Sequence, residues 1–160
     1  MARATALLEE RYPVLARSRI YESTAVGDPD GPLFFNRAVM IRSALGGAAL
    51  RAELRSLEAA LGRVRTSDRN APRIIDIDLL LAVDAAGAVL ADPPPAGELR
   101  HHYAALPAAE IAGDLVLPGE GLTLAAAARA LGPPPRGFRT EPDPNYQTSP
   151  APVPNPTRIT

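Results

Sequence analysis

The sequence predicts an α+β domain with an antiparallel sheet, and three observations carry that expectation. Two segments with strand-like alternation, Val14 to Ser23 and Leu33 to Ser43, are joined by the turn-rich stretch TAVGDPDGP. A helix follows, with Leu50, Leu54, Leu57 and Leu61 on one stripe. A third alternating run, Arg73 to Val83, then sets Asp76 and Asp78 among aliphatic residues.

Taken in order, residues 1–12 read as a helix, with Ala4, Leu7, Leu8 and Arg11 at helical spacing and Pro13 cutting it short. Val14 to Ser23 is the first strand. The second, Leu33 to Ser43, places Phe35, Val39 and Ile41 on one face and Phe34 and Asn36 on the other. Gly46-Gly47 opens the next helix, which runs through Leu61. Glu58 falls about 40° from its leucine stripe at the helical step of about 100° per residue, so it borders the core. Arg73 to Val83 is the third strand. The stretch DPPPAGELRHHYAALPAAEIAGD reads as a loop and a short helix, and LTLAAAARAL as a weak helix. From Gly132 onward, half of the 18 prolines and almost no aliphatic residues remain. Residues 1–132 are therefore expected to form the domain and 133–160 a disordered, proline-rich tail. The order helix, strand, strand, helix, strand is a ferredoxin-like βαββαβ unit with its first strand absent. That strand is central in the topology, so the second hairpin strand and the last strand are expected to face a gap.

At 160 residues the chain is long enough for one core. A net charge of −1 argues against a nucleic-acid or anionic-membrane partner. There is no cysteine, hence no disulfide framework or zinc-thiolate site. No apolar run reaches the roughly 20 residues of a membrane span, and the N-terminus lacks the pattern of a signal peptide. The expectation is a soluble, cytoplasmic monomer without nucleic-acid or membrane partners. All 17 basic residues are arginine, the mark of a GC-rich genome, so a lone arginine carries little meaning. Four arginines between Arg63 and Arg73 do, because the average density would place about one there.

On a strand, Asp76 and Asp78 share a face, about 6.5–7 Å apart. Two fixed carboxylates repel each other unless a cation sits between them. Mg²⁺ suits them: it takes one or two carboxylates, keeps waters and completes its shell with phosphate oxygens. Arg63, Arg65, Arg69 and Arg73 add planar forks that grip phosphate. Phosphoryl transfer asks mainly for positioning and charge neutralisation, and these two features supply both. The competing readings are a solvated edge-strand face, a basic surface patch, and RNA contacts on a ferredoxin-like sheet. The strands lack the aromatic stacking positions that RNA would need. His101 and His102, adjacent in an extended segment, point opposite ways and do not chelate one metal; His101 is the better candidate for touching phosphate.

The run RNAPRIIDIDLL, Arg69 to Leu80, resembles the signature of the 6-hydroxymethyl-7,8-dihydropterin pyrophosphokinase family. YESTAVG…FFNRAV resembles that family's pterin-binding region, LEAALGRVR its helix-to-loop junction, and LPAAEIAGDLVLP, more loosely, its C-terminal part. The resemblance spans roughly residues 5–120. It implies transfer of the β,γ-pyrophosphoryl group of ATP to the pterin hydroxymethyl group, with release of AMP, in folate biosynthesis. By motif, Asp76 and Asp78 would hold two Mg²⁺ ions on the ATP phosphates. Arg63 and Arg73 would close over the transferring group, helped by Arg65 and Arg69, with Glu58 and His101 also on the ATP side. Ser23, Val26, Phe34, Asn36 and Tyr103 match pterin-binding positions: Ser23 and Asn36 for hydrogen bonds to the ring, Phe34 and Tyr103 for stacking. The asparagine amide offers both a donor and an acceptor to a heterocycle edge. The chain also departs from the pattern. It starts after the family's first strand and GSN-type turn, has Pro93 to Pro95 where the family has Pro-His, His101 where it has arginine, and Asn70 where relatives often carry a bulky residue. A non-catalytic pterin- or nucleotide-binding relative is the alternative that these departures suggest.

Overall fold

The structure, a computed structural model, describes residues 1–25, 28–63, 74–90 and 96–141. Helix α1 (Ala2–Arg11) leads into strands β1 (Val14–Arg17), β2 (Ile20–Ala25), β3 (Asp28–Asn36) and β4 (Val39–Ile41). Helix α2 (Gly47–Ala60), a 3₁₀ turn (Gly97–Arg100), helices α3 (His102–Ala112) and α4 (Leu124–Ala130), and strand β5 (Arg139–Glu141) follow. The α+β class with antiparallel strands is as expected. Among the described residues β1 pairs with β4, β3–β2–β5 form a second sheet, and every pairing is antiparallel.

Each expected hairpin strand is in fact two, broken at the same level. Ser18 N–H donates to the Ala38 carbonyl at 3.0 Å, and Ser18 Oγ accepts from Ala38 N–H at 3.0 Å. A ladder would use a backbone carbonyl where Ser18 uses its side chain, so the register breaks and both strands pass from one sheet to the other. The expected turn is also shorter than the sequence indicates, because β3 already begins at Asp28. Its Pro32 falls in the register break between the Leu33–Thr24 and Asp28–Ala25 pairs, where a missing N–H costs no ladder bond.

Two apolar clusters hold the elements together. Leu50, Leu54 and Leu57 of α2 bury against Leu8 of α1, with Ile77 and Leu79 packed on them. Leu61 is not part of the buried stripe, since α2 ends at Ala60 and Leu61 caps it half-exposed. The second cluster joins Ala38 to Ala108 and Ile111 of α3 and to Leu117 and Leu124. Here α4 approaches the end of α3 closely enough that a Cβ on Gly113 would lie 3.2 Å from the Ala125 Cβ, tighter than ordinary van der Waals contact.

The expected third strand, Arg73 to Val83, does not form as a strand. Arg73 lies outside the described residues, and 74–82 make no ladder; an isolated bridge joins Val83 to Val89. A strand requires a neighbour, and among the described residues none runs beside this segment. A cavity of about 410 Å³ lies between it and Val39–Ile41, where a gap was expected. Side-chain alternation survives without the ladder: Asp76 and Asp78 are exposed, and Ile75, Ile77 and Leu79 turn inward.

The ordered body continues past Gly132. Strand β5 pairs with β2, Phe138 packs on Tyr21 at 5.7 Å between ring centroids, and Arg139 bridges Glu22 at 2.6 Å. Residues 142–160 lie outside the described residues. No helix among the described residues is long and apolar enough to cross a membrane.

Candidate active site

Helix α2 sets the floor of the site. Its leucines face the core, which turns Glu58 inward with them, leaving it 2% exposed. A carboxylate so buried must be paired. Glu58 accepts a hydrogen bond from Ile77 N–H at 2.8 Å and an ion pair from Arg63, which follows the helix end. Arg63 also bridges Asp76 Oδ1 at 2.5 Å. Burial alone would lower the guanidinium, but hydrogen bonds and attraction to Asp76 and Glu58 outweigh it and raise the pKa.

Asp78 stands on the same side as Asp76, two residues on. Its carboxyl is pushed up to about 6, first by burial and then by the charges of Asp76, Glu98 and Glu58, with Arg63 partly opposing. By surface area Asp78 is exposed, so crowding in a concavity, more than enclosure, accounts for that loss of water. The group therefore carries an excess of negative charge that a cation would relieve. Among the described residues no three His, Asp or Glu side chains form a ready metal cage. Two carboxylates in an open cavity suit Mg²⁺, which fills the rest of its shell with water and phosphate oxygens.

The aspartate segment borders two cavities. One, of about 310 Å³, is lined also by Arg51 and Arg55 of α2. The other is the cavity of about 410 Å³, lined by Asn36, Phe35 and Tyr103 among others, and Glu98 lines both. Asp76 and Asp78 line both. The arrangement can present one charged centre to two different molecules.

Of the expected pterin-side residues, Asn36 and Tyr103 reach the larger cavity. Ser23 is buried and accepts a hydrogen bond from Asn36 Nδ2 at 3.0 Å, which orients the amide. Phe34 pairs with Ser23 in the ladder but stays 44% exposed, and it is Phe35 that lines the cavity. Tyr103 stacks on His101, with centroids 5.4 Å apart and planes 7° from parallel. Its hydroxyl is held above the usual phenol range by burial and then by Glu98, Asp78 and Asp76. Val26, Arg65, Arg69 and Arg73 lie outside the described residues. The sequence reading missed Arg51, Arg55 and Glu98. The spacing of Arg51, Arg55 and Glu58 on one helical face was a usable signal for the first two; nothing local marked Glu98.

Comparison with known proteins identifies relatives of this chain. A family model described as 7,8-dihydro-6-hydroxymethylpterin-pyrophosphokinase (HPPK) matches residues 1–113, so α4 and β5 lie beyond the match. A 2-amino-4-hydroxy-6-hydroxymethyldihydropteridine pyrophosphokinase of Methylorubrum extorquens is 41% identical over 118 residues, covering 71% of this chain and 72% of that protein. The folic acid synthesis protein fol1 of Pneumocystis carinii is 32% identical over 117 residues, 71% of this chain and 15% of that much longer protein.

Proposed function

This chain belongs to the 7,8-dihydro-6-hydroxymethylpterin-pyrophosphokinase family, and from that premise we propose how its site performs pyrophosphate transfer in folate biosynthesis. ATP lies in the smaller cavity and 6-hydroxymethyl-7,8-dihydropterin in the larger. The pterin hydroxymethyl oxygen attacks the β-phosphorus of ATP. A bond forms between that oxygen and the β-phosphorus, the bond from the β-phosphorus to the α,β-bridging oxygen breaks, the hydroxyl proton is lost, and AMP leaves. The observation that carries the reading is that Asp76 and Asp78 line both cavities, where the two substrates would meet.

Asp76 and Asp78 are the residues that would hold Mg²⁺, which supplies neutralisation of phosphate charge. Arg63 sits beside Asp76 and is placed to turn to a phosphate oxygen, and Arg65, Arg69 and Arg73 are assigned the same task by motif. Asn36, oriented by Ser23, reads the pterin edge, and Tyr103 offers a ring to stack on. Arg51 and Arg55 give the smaller cavity a cationic wall suited to a nucleotide. The protein acts in the cytoplasm as a monomer, without nucleic acid or membrane.

The test is AMP formation from ATP and Mg²⁺ by the purified chain, with and without the pterin, alongside Asp76→Ala. Pterin-dependent AMP that disappears in the variant is the expected result. A folded chain that binds pterin but forms no AMP would favour the non-catalytic alternative.

A further inference from the structure

Glu58 lines the nucleotide-side cavity, yet 2% exposure leaves its carboxylate almost no surface to offer a ligand. Its bonds point elsewhere. It reaches the backbone N–H of Ile77, the residue between the two aspartates, at 2.8 Å. The side chain of Ile77 packs on the Leu8, Leu50, Leu54 and Leu57 cluster, so Ile77 is tied to α2 at both its backbone and its side chain. This matters because residues 74–82 form no ladder that would otherwise fix their backbone. Further along, Leu80 O accepts from Ala96 N–H and Ala82 O from Leu90 N–H, each at 2.8 Å, but both bonds lie beyond Asp78.

We propose that Glu58 is a positioning residue: its carboxylate holds the Ile77 N–H and so fixes Asp76 and Asp78 in the geometry that receives the metal–nucleotide. The inference rests on the pyrophosphokinase reading for what the aspartates receive. The anchoring itself is a statement about the backbone. Helix α2 is the right place for such an anchor, because Leu54 and Leu57 lock its last turns into the core. Arg63 pairs with the same carboxylate and so helps to hold it in place. Losing the anchor frees the aspartate segment to move, and supporting groups of this kind are generally worth about 10–100-fold in metal affinity or activity.

Two substitutions separate positioning from direct contact. Glu58→Gln keeps a carbonyl oxygen for the Ile77 N–H and gives up the charge; Glu58→Ala gives up both. Three quantities are read on the full chain. They are amide hydrogen exchange at Ile77 by NMR, calorimetric affinity for Mg²⁺ with the non-reactive α,β-methylene analogue of ATP, and steady-state constants with the pterin. In Glu58→Ala, Ile77 should lose protection, nucleotide affinity should fall about tenfold or more, and the pterin KM should stay within about twofold. Glu58→Gln should restore protection at Ile77 and bring nucleotide affinity to within about threefold of the parent. A Gln variant that binds nucleotide as poorly as the Ala variant while Ile77 stays protected would overturn the proposal, since charge and not position would then be at work. An Ala variant with unchanged nucleotide affinity would overturn it equally. If Glu58→Ala does not fold, Glu58→Gln decides against the parent: affinity within about threefold with Ile77 protected supports the proposal, and a loss of about tenfold or more with Ile77 still protected overturns it. Absence of AMP formation by the parent chain would count against the pyrophosphokinase reading, while the exchange and affinity results would still judge the anchor.

Discussion

Replacing Asp78 by asparagine should make the ligand-free protein more stable while destroying its activity. The carboxyl is pushed from 3.8 up to about 6, by burial first and by Asp76, Glu98 and Glu58 after it. A carboxyl held at about 6 in place of 3.8 corresponds to about 3 kcal/mol against the ionised form. Asp78 is exposed on one side, and solvent screening cuts that to about 1 kcal/mol. In a chain of this size about 1 kcal/mol moves the melting temperature by roughly 2–4 °C. The sign follows from the direction of the shift. A carboxyl raised by folding carries no penalty below the unfolded value of 3.8, gathers it as pH rises, and bears it fully above about 6. Asp78→Asn should therefore melt a few degrees above the parent near roughly pH 7.5, and the gain should fade toward about pH 4. Calorimetry without divalent cations measures both. Adding Mg²⁺ and nucleotide should reverse the order, because the parent gains a ligand that the variant binds poorly. A variant less stable than the parent near neutral pH, or a gain equal at both pH values, would refute the claim that crowded negative charge strains this site.

Two further substitutions probe the core and the pterin side. Leu57→Ala empties a position with 0% exposure between α1 and α2 and should cost about 2–5 kcal/mol in urea unfolding; a loss well under 1 kcal/mol would mean that this core is loose. Phe34→Ala, at an exposed edge-strand position, should leave stability within about 0.5 kcal/mol. Fluorescence titration with the pterin then decides its role. About tenfold weaker binding would place Phe34 at the ring, and unchanged binding would give the stacking task to Phe35, which lines the cavity.

The sequence by itself determined the chemistry of this protein and the periodic parts of its fold. Asp76 and Asp78 alternate with isoleucine, and that alternation puts both carboxylates on one side even where no ladder forms. The leucine stripe of α2 and the antiparallel α+β class follow from local pattern in the same way, because burial acts on each element's own period. What tertiary structure alone decided were relations between distant residues. Ser18 and Ala38 break two strands at one level through a side-chain bond that no local pattern encodes. Arg73 to Val83 has every mark of a strand in sequence, yet backbone pairing belongs to two segments, and among the described residues none runs beside 74–82. Phe138 and Arg139, in a proline-rich stretch that reads as a tail, fold back onto β2 because Tyr21 and Glu22 offer a ring and a countercharge there. Glu58 shows the division within one side chain. Helical spacing placed it at the edge of the core, but only the packed structure carries it to the amide of Ile77, because a hydrogen bond across 19 positions in sequence depends on where two elements meet.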